Sequence, residues 1–257
     1  PKVVSGITED CLDLGVAIFS SIVNQVVPVS STQTAEMVKL LENIHRAVNI
    51  GLVNEMKMLS DKMGINIYEV INAAATKPFG FQPYYPGPGL GGHCIPIDPF
   101  YLTWKAKEFG MTTKFIELAG EINANMPSWV VSKVIKALND LGKSISKSKI
   151  LILGVAYKKN VGDLRESPAL EVIDSLISQG ADIEYSDPFV ESIESIKRSN
   201  FNQTSVPLTE EIISDKDVVI ITTDHDQYDL AMIQKNALII IDTRGAYKKS
   251  FDNVINA

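Results

Sequence analysis

The run Lys149-Ile-Leu-Ile-Leu-Gly-Val-Ala-Tyr157 constrains the fold more than any other stretch of this chain. It is a continuous apolar strand that ends in glycine, and the residues after it repeat the theme. Pro168 to Gln179 reads as a helix, with Ser167 as N-cap and Pro168 at its first position. Strands at Asp182–Asp187, Asp217–Thr223 and Leu238–Asp242 alternate with helical stretches near Thr209–Ser214 and Gln227–Lys235. Strands alternating with helices predict an α/β domain with a doubly wound parallel sheet, here over residues 143–257.

Upstream of a small polar linker near Gly142–Ser148, residues 32–142 read as a helical domain. Met37, Leu40, Leu41, Ile44, Val48, Leu52, Met56 and Leu59 recur at spacings of three and four. That predicts one helix from Thr32 to Met63, closed by Gly64, and a helix of this kind packs against others or against a second subunit. A short helix at Ile67–Thr76 and a Gly/Pro loop from Lys77 to Pro99 come next, then helical patterns at Tyr101–Phe109, Thr113–Asn125 and Trp129–Leu141. Residues 1–31 read strand, helix, strand, with Thr8 as cap and Cys11 on the helix's apolar side as a packing residue. A lone βαβ unit cannot bury both faces of its sheet, so this segment is expected to belong to a larger parallel sheet, and the chain, beginning on Pro1, to be cut from a longer one.

Composition narrows the partners. A net charge of −7 over 257 residues, with no basic stripe, argues against a nucleic-acid binder. No run of about 18 apolar residues predicts a membrane span. Cys11 and Cys94 lie far apart and suggest no disulfide framework, which makes the reducing cytoplasm the expected setting.

Chemistry concentrates in Gly87-Pro-Gly-Leu-Gly-Gly-His-Cys94-Ile-Pro-Ile-Asp98-Pro99, where four glycines within six residues precede a thiol. Bare backbone can approach a ligand closely, and a rigid loop presenting one thiol suits covalent work on a bound substrate. Without that chemistry, the same stretch is a surface turn with a structural thiol. His93 adjoins Cys94, but neighbours in an extended segment face opposite ways, so no Cys–His pair is expected. Asp98 is a candidate base toward water, or a turn residue before Pro99. Lys39 and Asn43 share a helix face and could cradle an oxyanion, or simply lie on a solvated face. Gly154 to Ser167 carries Lys158, Lys159 and Arg165 between a strand end and a helix start, where phosphate binds, and Arg244 is expected along the same edge. No G-x-G-x-x-G occurs in the chain. His45 and His225 show no metal spacing.

Three blocks in order, Ala35-Glu-Met-Val-Lys39-Leu-Leu-Glu-Asn43, Gly87 to Asp98 and Gly154 to Ser167, resemble the nucleotide-sugar 6-dehydrogenases of the UDP-glucose/GDP-mannose dehydrogenase superfamily. The wording of Tyr85 to Leu102 looks most like the branch acting on UDP-N-acetylglucosamine, followed by the branch acting on UDP-N-acetylmannosamine. The resemblance implies an N-terminal NAD domain, here largely missing, a central helical dimerisation region, and a Rossmann-like domain holding UDP. It implies an NAD-dependent twofold oxidation at the sugar's C6, through a thiohemiacetal and a thioester on Cys94. Lys39 and Asn43 would stabilise oxyanions, and Asp98 would orient water. Tyr85, Gly87, Gly89, Leu90 and Gly91 would surround the sugar, Tyr157, Lys158 and Arg244 would contact the nucleotide sugar, and Arg165 would reach NAD. The expected partners are a UDP-sugar and a second copy of the chain through the central helices. The piece alone is expected to bind UDP-sugar without turnover. Where UDP-glucose enzymes place a cross-dimer arginine this chain has Pro78, with Lys77 beside it. UDP-glucose oxidation, and a non-catalytic UDP-sugar-binding dimerisation module, are the rival readings.

Overall fold

The computed structural model describes residues 1–194 and 201–257. β1 (Lys2–Val4), α1 (Glu9–Ser20) and β2 (Val26–Pro28) form a βαβ unit whose two strands pair in parallel. Thr8 caps α1, its hydroxyl accepting the Cys11 amide at 3.2 Å. Cys11 is exposed, and α1 buries none of its residues, so the packing role expected for this thiol is wrong. The helix leans on a two-stranded sheet too small to enclose it, and Ile7, Leu14, Ile18 and Ile22 stay exposed as well.

Helix α2 (Thr32–Lys62) forms as the periodicity predicts, with Ser31 accepting the Thr34 amide at its start and Gly64 in the left-handed region beyond its end. Its two faces are unusual. The buried residues are Asn43, Ala47, Gly51, Asn54, Lys57 and Ser60, whereas Met37, Leu41, Leu52, Met56 and Leu59 form an exposed stripe on the other side. Helix α3 (Ile67–Ala74) is capped by the Asn66 side chain. Helix α4 (Asp98–Lys107) starts ahead of the expected Tyr101, because Pro99 in a first turn loses no intrahelical bond.

Helix α5 (Lys114–Asp140) is a single helix where two were expected. Pro127 deletes one hydrogen bond, a cost of about 3 kcal/mol in a helix interior. Ala119, Asn123 and Met126 before it, and Val130, Val134 and Leu138 after it, are all buried, and α5 packs on both α2 and α6. Burial along its whole length outweighs the missing bond.

The remainder is the doubly wound sheet. Its elements are β3 (Lys149–Leu153), α6 (Pro168–Ser178), β4 (Asp182–Ser186), a small antiparallel pair β5 (Ser192–Ile193) and β6 (Gln203–Thr204), α7 (Glu210–Ser214), β7 (Val218–Ile221), α8 (Leu230–Asn236), β8 (Ile240–Asp242) and β9 (Val254–Asn256). Five parallel strands run in the order β4-β3-β7-β8-β9. Ile150 and Ile152 pack with α5 and α6 on one face, and Leu151 and Leu153 with α7 and α8 on the other. The strand β9 has no counterpart in the sequence reading, since three residues carry too short a pattern to stand out. Ser167 sits at the cap position of α6, but its hydroxyl donates to the Val155 carbonyl at 2.7 Å instead of capping the helix.

Strand β3 stops at Leu153, short of the expected Tyr157, because Gly154 turns the chain with φ of +79°. A Cβ there would lie 2.4 Å from the Thr223 carbonyl oxygen. Gly154→Ala is therefore expected to cost roughly 2–4 kcal/mol, strain and clash together. Gly64, at φ of +69° and with nothing within 4 Å of the place a Cβ would take, is its control. Gly64→Ala should cost only about 1 kcal/mol. Urea unfolding of the two variants checks the difference.

Candidate functional site

The carboxyl ends of β3, β7 and β8 present the turns that begin at Gly154, Thr222 and Thr243. Ligands bind at this edge of doubly wound sheets. The glycine loop from the helical region is pressed onto it. A Cβ on Gly91 would sit 2.5 Å from Tyr157 Cβ and 2.9 Å from the Glu166 carbonyl oxygen, and one on Gly87 would sit 2.6 Å from an Arg244 guanidinium nitrogen. The Gly92 amide donates to the Arg165 carbonyl at 3.0 Å. Gly91 is required by contact, since a side chain there would lift the loop off the sheet edge, whereas one at Gly87 would first displace the Arg244 guanidinium.

Cys94 is exposed beyond those glycines, and its carbonyl accepts the amides of Ile97 at 3.2 Å and Asp98 at 2.8 Å as the chain winds into α4. The thiol thus stands one turn ahead of the start of α4. Its Sγ lies 4.0 Å from His93 Nδ1. The expectation that the two point apart fails, because residues 92–97 bend and turn where an extended segment was assumed.

Asp98 and Asn43 meet. The Asn43 amide donates to Asp98 Oδ2 at 2.7 Å, and the Arg46 guanidinium donates to Asn43 Oδ1. A guanidinium only donates and a carboxylate only accepts, so the orientation of the amide between them is fixed. Lys39 is not drawn into this cluster. It is exposed and pairs with Glu42 at 3.1 Å.

A second buried chain holds the loop from below. The Asn54 Oδ1 accepts the Gly87 amide at 3.0 Å, Asn54 Nδ2 donates to Asn123 Oδ1 at 2.9 Å, and Asn123 Nδ2 donates to the Ala47 carbonyl at 3.0 Å. A backbone donor at one end and a backbone acceptor at the other set both amides. Gly89 and Leu90 wall a cavity of about 140 Å³ with Pro96, Phe100, Asn123 and Pro127.

Other candidates take fixed partners. The Tyr85 hydroxyl donates to Asn72 at 2.8 Å. The Tyr157 amide donates to the Asp163 carbonyl at 2.9 Å, and Lys158 is exposed. The Arg244 Nε donates to the Thr222 carbonyl at 2.7 Å and its amide to Asp242 at 2.9 Å; burial lowers its guanidinium pKa against the pull of Asp224. The Arg165 guanidinium grips Asp163 at 2.6 and 3.0 Å, which raises its pKa, with Tyr157 and Cys94 adding smaller contributions in the same direction. Among the described residues, no group of three or more His, Cys, Asp or Glu side chains is arranged to hold a metal, and no helix is long and apolar enough to cross a membrane.

Arg46, Asn54 and Asn123 escape a reading of the sequence. Only the placement of Asn54 on the face of Asn43 could have pointed to it, and Asn123 lies on another element altogether.

Comparison with known proteins gives the family of both parts of the chain. Residues 33–125 match the central domain of the UDP-glucose/GDP-mannose dehydrogenase family, and residues 151–249 match that family's UDP binding domain. The chain is 38% identical, over 88% of its length, to the UDP-N-acetyl-D-mannosamine dehydrogenase of Methanococcus maripaludis, and covers 49% of that protein. It superposes with a TM-score of 0.85 on the UDP-D-ManNAc dehydrogenase of Pyrococcus horikoshii, at 32% identity, covering 98% of this chain and 58% of the other. An NDP-N-acetyl-D-galactosaminuronic acid dehydrogenase from Methanosarcina mazei gives a TM-score of 0.81 at 27% identity, over 96% of this chain and 54% of that one. The chain spans about half the length of the curated relatives it matches.

Asn54→Leu keeps the volume and strands the Gly87 amide and the Asn123 oxygen. The expected cost is about 2 kcal/mol in urea unfolding. Deuterium exchange in the Gly87–Cys94 peptide should rise with it; unchanged exchange there would mean that Asn54 does not clamp the loop.

Proposed function

Because the chain belongs to the UDP-glucose/GDP-mannose dehydrogenase family, through its central and UDP-binding domains, we propose that it is the substrate-binding and covalent half of an NAD-dependent UDP-N-acetylhexosamine 6-dehydrogenase. One observation carries the reading: a glycine loop ending in an exposed thiol lies in contact with Tyr157 and Arg244 at the ligand-binding edge of the sheet. In this proposal residues 143–257 hold the UDP moiety, with Tyr157, Lys158 and Arg244 as contacts. Residues 32–142 supply the chemistry.

NAD supplies hydride acceptance in such a reaction, and the residues of this chain do not build its site. The turn after β1 reads Ser5-Gly6-Ile7-Thr8 without the fingerprint glycines, which leaves Arg165 as the one residue of this chain proposed to reach the cofactor. The chain's own groups do the rest. The Cys94 thiolate adds to a C6 aldehyde and holds the carbon covalently, so that a reactive intermediate cannot diffuse away. The Asn43 amide, oriented by Arg46, fixes Asp98 beside the thiol loop, where its carboxylate can take a proton from the water that cleaves a thioester. Lys39 is one helical turn from Asn43 and would supply positive charge for an oxyanion. Gly87 to Gly91, Leu90 included, and Tyr85 offer backbone and hydroxyl groups to the sugar.

The cysteine-block wording favours the glucosamine epimer, while the named relatives favour mannosamine, which we take as the first substrate to try. The exposed stripe on α2 is the surface we assign to a second copy of the chain.

Calorimetric titration of the chain with UDP-N-acetylmannosamine, UDP-N-acetylglucosamine and UDP-glucose should give binding to at least one acetamido sugar and no uronate with NAD present. No heat from any of them would overturn the reading. In the full-length protein, Cys94→Ser should leave that affinity within a small factor and cut uronate formation on the order of 10³-fold or more. Leu52→Glu should turn a dimer into a folded monomer in sedimentation equilibrium; a native monomer would remove the α2 interface.

A further inference from the structure

His225 lies just beyond β7 at the sheet edge, buried between the rings of Phe189, centroids 5.0 Å apart, and Tyr228, 5.6 Å apart and edge-on. Its two ring nitrogens have opposite tasks. Nε2 is 3.1 Å from Asp187 Oδ2. That oxygen also accepts the amides of Val155 at 2.7 Å and Ala156 at 3.2 Å, while Oδ1 accepts the Phe189 amide at 2.8 Å. Burial pushes the Asp187 carboxyl up, but the bonds from His225, Phe189 and Val155 outweigh it and hold the group below its ordinary range. Asp187 is therefore an ionised acceptor, and Nε2 carries the proton.

Nδ1 lies 3.0 Å from the backbone nitrogen of Asn160. A backbone amide only donates, so Nδ1 accepts, and the ring is the neutral Nε2–H tautomer. Asn160 is held in the left-handed region at φ of +60°, with its side chain donating to Asp226 Oδ2 at 2.6 Å and accepting the Asp226 amide at 3.1 Å. One buried His–Asp pair thus pins both ends of a short loop, Asp187 at Val155–Ala156 and His225 at Asn160. Between those ends stand Tyr157 and Lys158. Of the other groups around the ring, Lys159 pairs with both Asp224 at 3.5 Å and Asp226 at 2.7 Å, which leaves one negative charge over, and the Tyr228 hydroxyl donates to the Ser186 carbonyl at 2.7 Å.

We propose that neutral His225 is a positioning residue for the nucleotide-sugar contacts of Tyr157 and Lys158, and that its protonation releases them. Protonated Nδ1 is a donor facing the donor at Asn160, so the bond that closes the loop cannot survive. This rests on the UDP-sugar reading given above and adds to it a pH dependence set by one side chain.

The test uses the 257-residue chain, with UDP-N-acetylglucosamine and UDP-N-acetylmannosamine as probes. Their pyrophosphates are diesters and lack the phosphate monoester proton that titrates near pH 6. As the pH is lowered from about 8 through the range in which the chain stays folded, the dissociation constant of the bound sugar should rise roughly fivefold, the worth of one hydrogen bond, and exchange at Asn160 should quicken relative to its intrinsic rate. His225→Asn places an amide oxygen near the position of Nδ1 and takes up no proton in this range. It loses the donor to Asp187 and should therefore bind more weakly at every pH, but with both profiles flat. Binding with an Asn160 exchange indifferent to pH, or a native pH profile surviving in His225→Asn, overturns the inference. Absence of binding throughout that range overturns the UDP-sugar reading, and the positioning role with it. Should His225→Asn not fold, the Asn160 exchange profile of the native chain decides alone.

Discussion

Helix α2 is built inside out, and the rest of the structure depends on how that is satisfied. It buries Asn43, Asn54 and Lys57 while showing Leu41, Leu52 and Leu59 to the outside. Buried polar groups destabilise unless each finds a partner. Each does so on a different element: Asn43 on Asp98 at the start of α4, Asn54 on Asn123 of α5 and on the Gly87 amide, Lys57 on the carbonyls of Thr243 and Ala257. Burial holds the Lys57 ammonium down to about 7 against the attraction of Asp242. Such contacts are directional where apolar packing is not. They fix the rotation of α2 about its axis and, through it, the place of the thiol loop on the sheet.

The same logic explains the glycines. With Gly91 against Tyr157 and the Gly92 amide on the Arg165 carbonyl, the thiol loop and the loop after β3 form one layer. Neither can shift without the other. The buried Asp187–His225 pair anchors that layer to β4 and β7. Groups proposed to hold the nucleotide and the group proposed to attack the sugar are therefore set by one continuous set of contacts.

Much of this was legible in the sequence. The apolar run at 149–153 and its alternating successors foretold the parallel sheet, and the three- and four-residue spacing foretold α2. The glycine–cysteine loop and the turn after β3 were expected to carry the site, and the structure brings the two loops together. What could not be read depended on tertiary partners. Pro127 should have ended a helix, and only burial on both sides of it explains α5. Cys11 follows the apolar pattern of a helix that finds no cover. The amides of Asn54 and Asn123 meet across two helices 69 residues apart in sequence, and no local spacing encodes that. The apolar stripe on α2 was real, but periodicity gives a stripe without saying which way it faces.

Two kinds of polar contact divide the labour at the sheet edge. Lys39–Glu42 and Arg165–Asp163 are exposed pairs between near neighbours in sequence. Pairs of that kind are weak, because water screens them and each side chain gives up rotamer freedom to form them. A bound anion could recruit either cation at little cost. The Asn54–Asn123 and Asp187–His225 links are buried, span distant segments, and would leave unsatisfied groups behind if broken. The charges that a reacting nucleotide sugar would need to redirect are thus on exchangeable partners, whereas the backbone that positions them is held by contacts that are expensive to open. Lys39 paired with Glu42 is consistent with that division: an exposed cation held on a surface carboxylate can exchange it for an incoming anion.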